Sequence, residues 1–176
     1  MAGNPTPALG EALAGPQGFG EIPDGQRMEC AAGTEAGAGT GLQLLCVDDS
    51  ATYRYSLKKL LTAEGYDVLM ASSGEDALER LGRELVDCVL LDRMMPGLGG
   101  LETCKIIKQT PEWRNVPVVM LTATEKREAI IEGLNAGADD YIAKSSDAEV
   151  LRGRVRAQVR RRHFEDENRA IREELH

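Results

Sequence analysis

The stretch Leu44-Leu-Cys-Val-Asp48-Asp49-Ser50 is a short apolar run that stops on two acids, and Cys88-Val-Leu-Leu-Asp92 repeats the pattern further along. Neither run alternates polar with apolar residues, which is what a strand covered on both faces looks like. Working outward, three more such runs occur, so that the set is 42–47, 68–71, 88–91, 116–121 and 140–143. Stretches with helical spacing separate them. Tyr53, Leu57, Leu60 and Leu61 lie at i, i+4, i+7 and i+8, and Gly65 is placed to end that helix. Leu78, Leu81 and Leu85 mark a second helix, and Leu101, Cys104 and Ile107 a third. Ile130, Ile131 and Leu134 mark a fourth, ahead of Asn135-Ala-Gly137, and Leu151, Val155 and Val159 a fifth. Five strand–helix alternations predict an α/β fold, a doubly wound five-stranded parallel sheet with helices on both faces. Ligands in such folds bind beyond the C-terminal ends of the strands.

The rest of the chain bounds what else it can be. Residues 1–41 hold 10 of the 19 glycines and four of the seven prolines, too little apolar surface to offset the entropy of ordering, so a disordered lead is expected there. Gly37-Ala-Gly39-Thr-Gly41 resembles a nucleotide loop, but it precedes the first strand and its last glycine is misplaced for GxGxxG. A net charge of −8 argues against a direct nucleic-acid binder. No window is long and apolar enough for a membrane span, and no basic segment followed by an apolar one opens the chain, so a cytoplasmic location is expected. Cys30, Cys46, Cys88 and Cys104 form no CxxC pair and no ligand-like cluster, which also fits a reducing compartment.

Chemistry gathers where the strands end. Asp48 and Asp49 follow the first strand and Asp92 the third. Three carboxylates at one sheet edge raise each other's pKa unless a cation neutralises them, and an all-oxygen cluster suits Mg²⁺. The fourth run ends in Thr122, a hydroxyl followed by the small Ala123, and the fifth is followed by Lys144, a mobile ammonium. A nucleophile, a metal and positive charge on the equatorial oxygens are what phosphoryl transfer needs.

This set resembles the receiver (CheY-like) domain of two-component response regulators. Met95-Pro96-Gly97 after Asp92, Asn135-Ala-Gly137-Ala-Asp139-Asp140-Tyr141 before Lys144, and the intervals of 44, 30 and 22 residues along 48, 92, 122 and 144 support the likeness, which covers about residues 41–162. The resemblance implies the flavodoxin-like strand order 2-1-3-4-5, that of the family's type member. It implies that Asp92 accepts a phosphoryl group from a phosphohistidine on a histidine kinase or phosphotransfer protein. Asp49, Asp92 and the backbone carbonyl of Met94 would bind Mg²⁺, with Asp48 acting largely through water. Thr122 and Lys144 would hold the phosphoryl oxygens, and Tyr141 would turn inward when Thr122 moves. Three positions depart from the family pattern: Arg93 stands where an apolar residue is usual, Gly99 where an acid is usual, and Ser145 where a proline is usual. Gly99 weakens the N-cap of the third helix, and Ser145 makes a cis bond costly.

Competing readings have their own signatures. Phosphatases of the haloacid-dehalogenase type also phosphorylate an aspartate, but need a second acid two residues on, where this chain has Met94. A switch with only slow self-dephosphorylation is therefore expected rather than an enzyme. His163, in Arg-Arg-His-Phe-Glu-Asp-Glu, lacks the surroundings of a kinase phosphodonor. Residues 42–146 read as the receiver and 147–176 as its fifth helix, extended like the connectors that lead to histidine kinases or cyclases. The arginines at 152, 154, 156, 160, 161 and 162, followed by acids, read as a solvated amphipathic face. Val150, Ala157, Phe164 and Ile171 recur every seven residues, a weak seam that predicts a weak homodimer through this helix. The 30 residues after Ser146 are too few for an output domain, so a single-domain regulator, a receiver portion of a hybrid kinase or cyclase, and a phosphate-independent interaction module stay open.

Overall fold

The computed structural model describes residues 41–175. The expected disordered lead and Cys30 lie outside the described residues, apart from Gly41. The elements alternate strictly: β1 (Gln43–Val47), α1 (Ala51–Ala63), β2 (Asp67–Ala71), α2 (Gly74–Arg83), β3 (Cys88–Asp92), α3 (Gly100–Gln109), β4 (Val118–Thr122), α4 (Arg127–Asn135), β5 (Asp140–Ala143) and α5 (Ala148–Glu174). All pairings are parallel and the order is β2-β1-β3-β4-β5. The chain crosses from one side of β1 to the other between β2 and β3, which opens a crevice at the carboxyl ends of β1 and β3.

Alternate residues of each strand face opposite sides of the sheet, and each side is covered. Leu45, Val47, Val89, Leu91, Val118 and Met120 pack under α2 and α3, with Ala77, Leu81, Cys104 and Ile107. Leu44, Cys46, Leu90, Val119, Leu121 and Ile142 pack under α1 and α5, with Leu57, Leu61, Leu151, Val155 and Val159. Central β3 and β4 are buried throughout, whereas β2 at the edge is only half-buried along most of its length. That explains the unbroken apolar runs at 88–91 and 118–121.

Helix ends follow local chemistry. The Ser50 hydroxyl accepts from the Tyr53 N–H and starts α1; Gly65, at φ +92°, turns the chain out of it. Ser73 caps α2 in the same way through Asp76. Gly99 caps α3 without a side-chain bond, as expected from its missing acid. At Gly100 an added Cβ would run into the carbonyl oxygen of Asp92, so α3 is seated directly on the loop after β3. The peptide bond between Lys144 and Ser145 is trans, like all others among the described residues.

Two helices differ from the sequence reading. Leu85 lies beyond the end of α2 and is 91% exposed; Val86 is buried in its place. Helix α4 rests on the small residues Ala129 and Gly133, and leaves Ile131 and Leu134 exposed. The Gly133 Cα lies so close to the Tyr141 ring that a Cβ there would be 3.0 Å from it. The arginines of α5 are not simply solvated. Arg152 and Arg156 pair with Glu64, Arg154 with Asp140 and Arg161 with Asp139, while Arg162 donates to the Val86 carbonyl. Beyond Arg162 the helix leaves the body, and Phe164, Ile171 and Leu175 are exposed.

Candidate acidic site at the carboxyl edge of the sheet

The crevice brings together the residues that sequence spacing singled out. β1 ends at Val47 and delivers Asp48, which is fully buried, and Asp49, which is exposed. β3 ends on Asp92, only 4% exposed. One carboxylate oxygen from each of Asp48, Asp49 and Asp92 falls within 4.8 Å of the others. β4 ends on the buried Thr122, whose carbonyl accepts the Lys144 backbone N–H at 2.7 Å. That bond ties the residue after β5 to the same edge.

Lys144 reaches across the acids: its Nζ lies 2.6 Å from Asp48 Oδ2 and 3.2 Å from Asp92 Oδ1. Desolvation lowers its pKa, but the hydrogen bond to Asp48 and the charges of Asp92 and Asp48 outweigh that and hold the ammonium above its ordinary value. One cation does not neutralise this cluster. Burial, and then the charge of Asp48, push the Asp92 carboxyl up to about 6 even though Lys144 pulls it down. The donor set, three clustered carboxylates with one exposed, fits a hard divalent cation such as Mg²⁺.

The backbone pins these groups. Asp48 Oδ1 accepts from the Ser50 N–H at 2.8 Å, and its carbonyl accepts from Arg54 at 2.6 Å. Asp92 Oδ1 accepts from the Met94 N–H at 3.4 Å, which sets Met94 beside the acid with its side chain exposed. Thr122 Oγ1 accepts from the Thr124 N–H at 3.1 Å, and the Tyr141 hydroxyl donates to the Thr124 carbonyl at 3.4 Å. Thr122 and Tyr141 are thus linked through one residue of the β4–α4 loop.

Sequence reasoning missed two members of the site. The Tyr53 ring lies 4.5 Å from Lys144 Nζ, so a residue read as helix core also seats the ammonium. Burial raises the Tyr53 phenol, with Lys144 opposing. Arg54 belongs to no motif; its place four residues after the cap Ser50 puts it on the turn that faces the strand end. Arg93, which stands where the family pattern has an apolar residue, extends to Glu132 of α4 at 2.5 Å. Cys46, Cys88 and Cys104 are free and buried. Burial drives the Cys46 thiol far up, Cys88 to about 12 and Cys104 to about 11, so they pack as neutral hydrophobes. His163 is exposed on α5, past the point where the helix leaves the body.

The family model of the response regulator receiver domain matches residues 44–156. The chain is 40% identical over 125 residues to the response regulator MprA of Mycobacterium leprae, covering 71% of this chain and 54% of that protein. It is 39% identical over 118 residues to the transcriptional regulatory protein AfsQ1 of Streptomyces coelicolor, covering 67% and 51%. The chain thus spans about half the length of the curated relatives it matches. Among solved structures, a putative response regulator from Chloroflexus aurantiacus superposes with a TM-score of 0.66 at 38% identity, covering 68% of this chain and 98% of that one. The receiver domain of a signal transduction histidine kinase from Syntrophus aciditrophicus superposes at 0.64 with 30% identity, covering 68% and 90%. With its sheet order, its crevice and these likenesses in agreement, the chain belongs to the response regulator receiver family of two-component systems.

Proposed function

We propose that this receiver works as an aspartyl-phosphate switch, with Asp92 as phosphoacceptor. The observation that carries the reading is the buried Asp92 carboxylate, flanked by Asp48 and Asp49 and touched by Lys144. A carboxylate oxygen of Asp92 attacks phosphorus in a phosphohistidine. A P–O bond forms, the P–N bond breaks, and its electron pair leaves on the imidazole nitrogen of the donor, a histidine kinase or phosphotransfer protein. Lys144 screens the oxygens of the transferred group, and Thr122 turns its hydroxyl toward them. Asp49, Asp92 and the Met94 carbonyl would hold a Mg²⁺ ion, with Asp48 acting largely through water, and the ion would supply charge neutralisation.

Rapid hydrolysis is not expected, because Met94 and Arg93 next to Asp92 provide no general base. The product therefore persists long enough to act as a signal, read through Thr122 and Tyr141 on the α4–β5 side. Residues 42–146 form the receiver, and the projecting end of α5 pairs weakly with a second copy. A receiver portion of a larger kinase or cyclase is compatible with the same chemistry. A phosphate-independent module is not favoured, since all five site residues are present.

Treatment with acetyl phosphate should add one phosphoryl mass to the wild type only when Mg²⁺ is present, and peptide mapping should place it on Asp92. D92N should stay unlabelled. Equal labelling of D92N, or labelling in EDTA, would remove Asp92 or the metal from the reading.

A further inference from the structure

Arg93 is joined to more than its neighbour Asp92. Its backbone N–H donates to the Leu121 carbonyl and its carbonyl accepts from Gly100, so its Cα is held between β4 and α3. Its side chain is only 16% exposed, and one terminal nitrogen reaches Glu132 of α4 at 2.5 Å. Its other terminal nitrogen lies 3.5 Å from Met94 Sδ. Its Nε is buried and has no hydrogen-bond partner among the described residues. A buried unpaired donor is costly, more so on a charged group. The guanidinium is thus incompletely paired where it rests.

Glu132 is next to Gly133, the residue on which α4 approaches Tyr141. Tyr141 in turn is tied to Thr124, and Thr124 to Thr122. The ion pair of Arg93 and Glu132 therefore fastens the residue after Asp92 to the same helix that the Thr122–Tyr141 link borders. The Glu132 side chain is 53% exposed, so the pair is weak and easily exchanged. Adding a phosphoryl group to Asp92 replaces one negative charge with about two, and brings acceptor oxygens to the residue beside Arg93.

Resting on the phosphoacceptor reading, we propose that Arg93 is a positioning residue that exchanges partners: its guanidinium holds α4 through Glu132 at rest and turns to the phosphoryl oxygens when Asp92 carries them. Exchange gives the phosphoryl group a differential interaction with the two states, the condition for shifting an equilibrium. It also lets α4 move, because its tie to the acceptor loop is released in the same step.

The test uses beryllofluoride with Mg²⁺ as the phosphoryl mimic, its affinity measured by calorimetry on the full chain. E132Q frees Arg93 in advance and should bind the mimic about fivefold tighter than wild type, the upper range for a half-exposed pair. R93M loses the new partner along with the old and should bind no tighter than wild type, while R93K should recover part of the difference. The Arg93 Nε–Hε resonance in NMR should shift on mimic binding to the wild type. If R93M tightens binding as much as E132Q, Arg93 is only a brake on α4 and the exchange is overturned. The exchange is equally overturned if neither variant alters the affinity, or if E132Q weakens it. A wild type that does not bind the mimic at all would overturn the phosphoacceptor reading itself, an outcome separate from these.

Discussion

Asp92 is held ionised at neutral pH against its own surroundings. Its carboxyl is 4% exposed beside Asp48, and its pKa rises from 3.8 to about 6. The folded protein therefore binds this proton more tightly than the unfolded chain does. The stability that goes with it is fully present below about pH 4 and is lost as the pH rises through about 6, a swing of about 3 kcal/mol. In EDTA, D92N should accordingly be more stable than wild type at pH 7.5 by about 1–3 kcal/mol, and the gap should close by pH 4. Urea unfolding at the two pH values measures it; a D92N variant no more stable at pH 7.5 would mean that Lys144 fully compensates the site. The acids, Thr122 and Lys144 were legible one by one in the sequence, because each closes an apolar run. The pairing of Lys144 with Asp48, 96 residues apart, was not, since only the fold decides which strand ends meet.

At the scale of elements, α3 is seated tightly on the loop after β3. Gly100→Ala should destabilise the protein by roughly 3 kcal/mol, the upper range for overpacking, because the new methyl meets the Asp92 carbonyl rather than a yielding side chain. Gly82→Ala in α2, where nothing lies within 4 Å, should stabilise by up to about 1 kcal/mol. Thermal unfolding of the two variants reads the contrast, and a Gly100→Ala protein as stable as wild type would show that α3 can shift freely. Helix existence was legible from 3.6-residue spacing, but the buried face was not always so. In α4 the apolar Ile131 and Leu134 point outward, because close approach to the Tyr141 ring demands Gly133 on the inner face. Leu85 fits the period of α2, yet the chain turns extended at Glu84 before reaching it.

For the molecule as a whole, α5 is both part of the core and a projection from it. Leu151, Val155 and Val159 are buried, and Arg162 ties the helix to the body through the Val86 carbonyl. The remaining turns extend roughly 20 Å with Phe164, Ile171 and Leu175 exposed. A polar helix of that length is marginal alone and would gain stability by burying those residues against a second copy. Sedimentation should therefore find a weak dimer of the full chain, strengthened by beryllofluoride, and truncation after Arg162 should remove it while leaving Asp92 able to be labelled. A dimer that survives truncation would locate the interface on the body of the domain.

The class of fold, and which polar residues stand at the strand ends, can be read from the chain alone. Strands covered on both faces must be apolar throughout, and polar residues survive only where the strands end, so the order of apolar runs and acids along the chain carries that information. The partnerships come from the fold: Lys144 on Asp48 beside the Tyr53 ring, Arg93 on Glu132, and arginines of α5 on Glu64, Asp139 and Asp140. Long charged side chains choose among several acids within reach. Which acid is nearest depends on how helices seat on the sheet, a geometry set by packed volume rather than by local spacing.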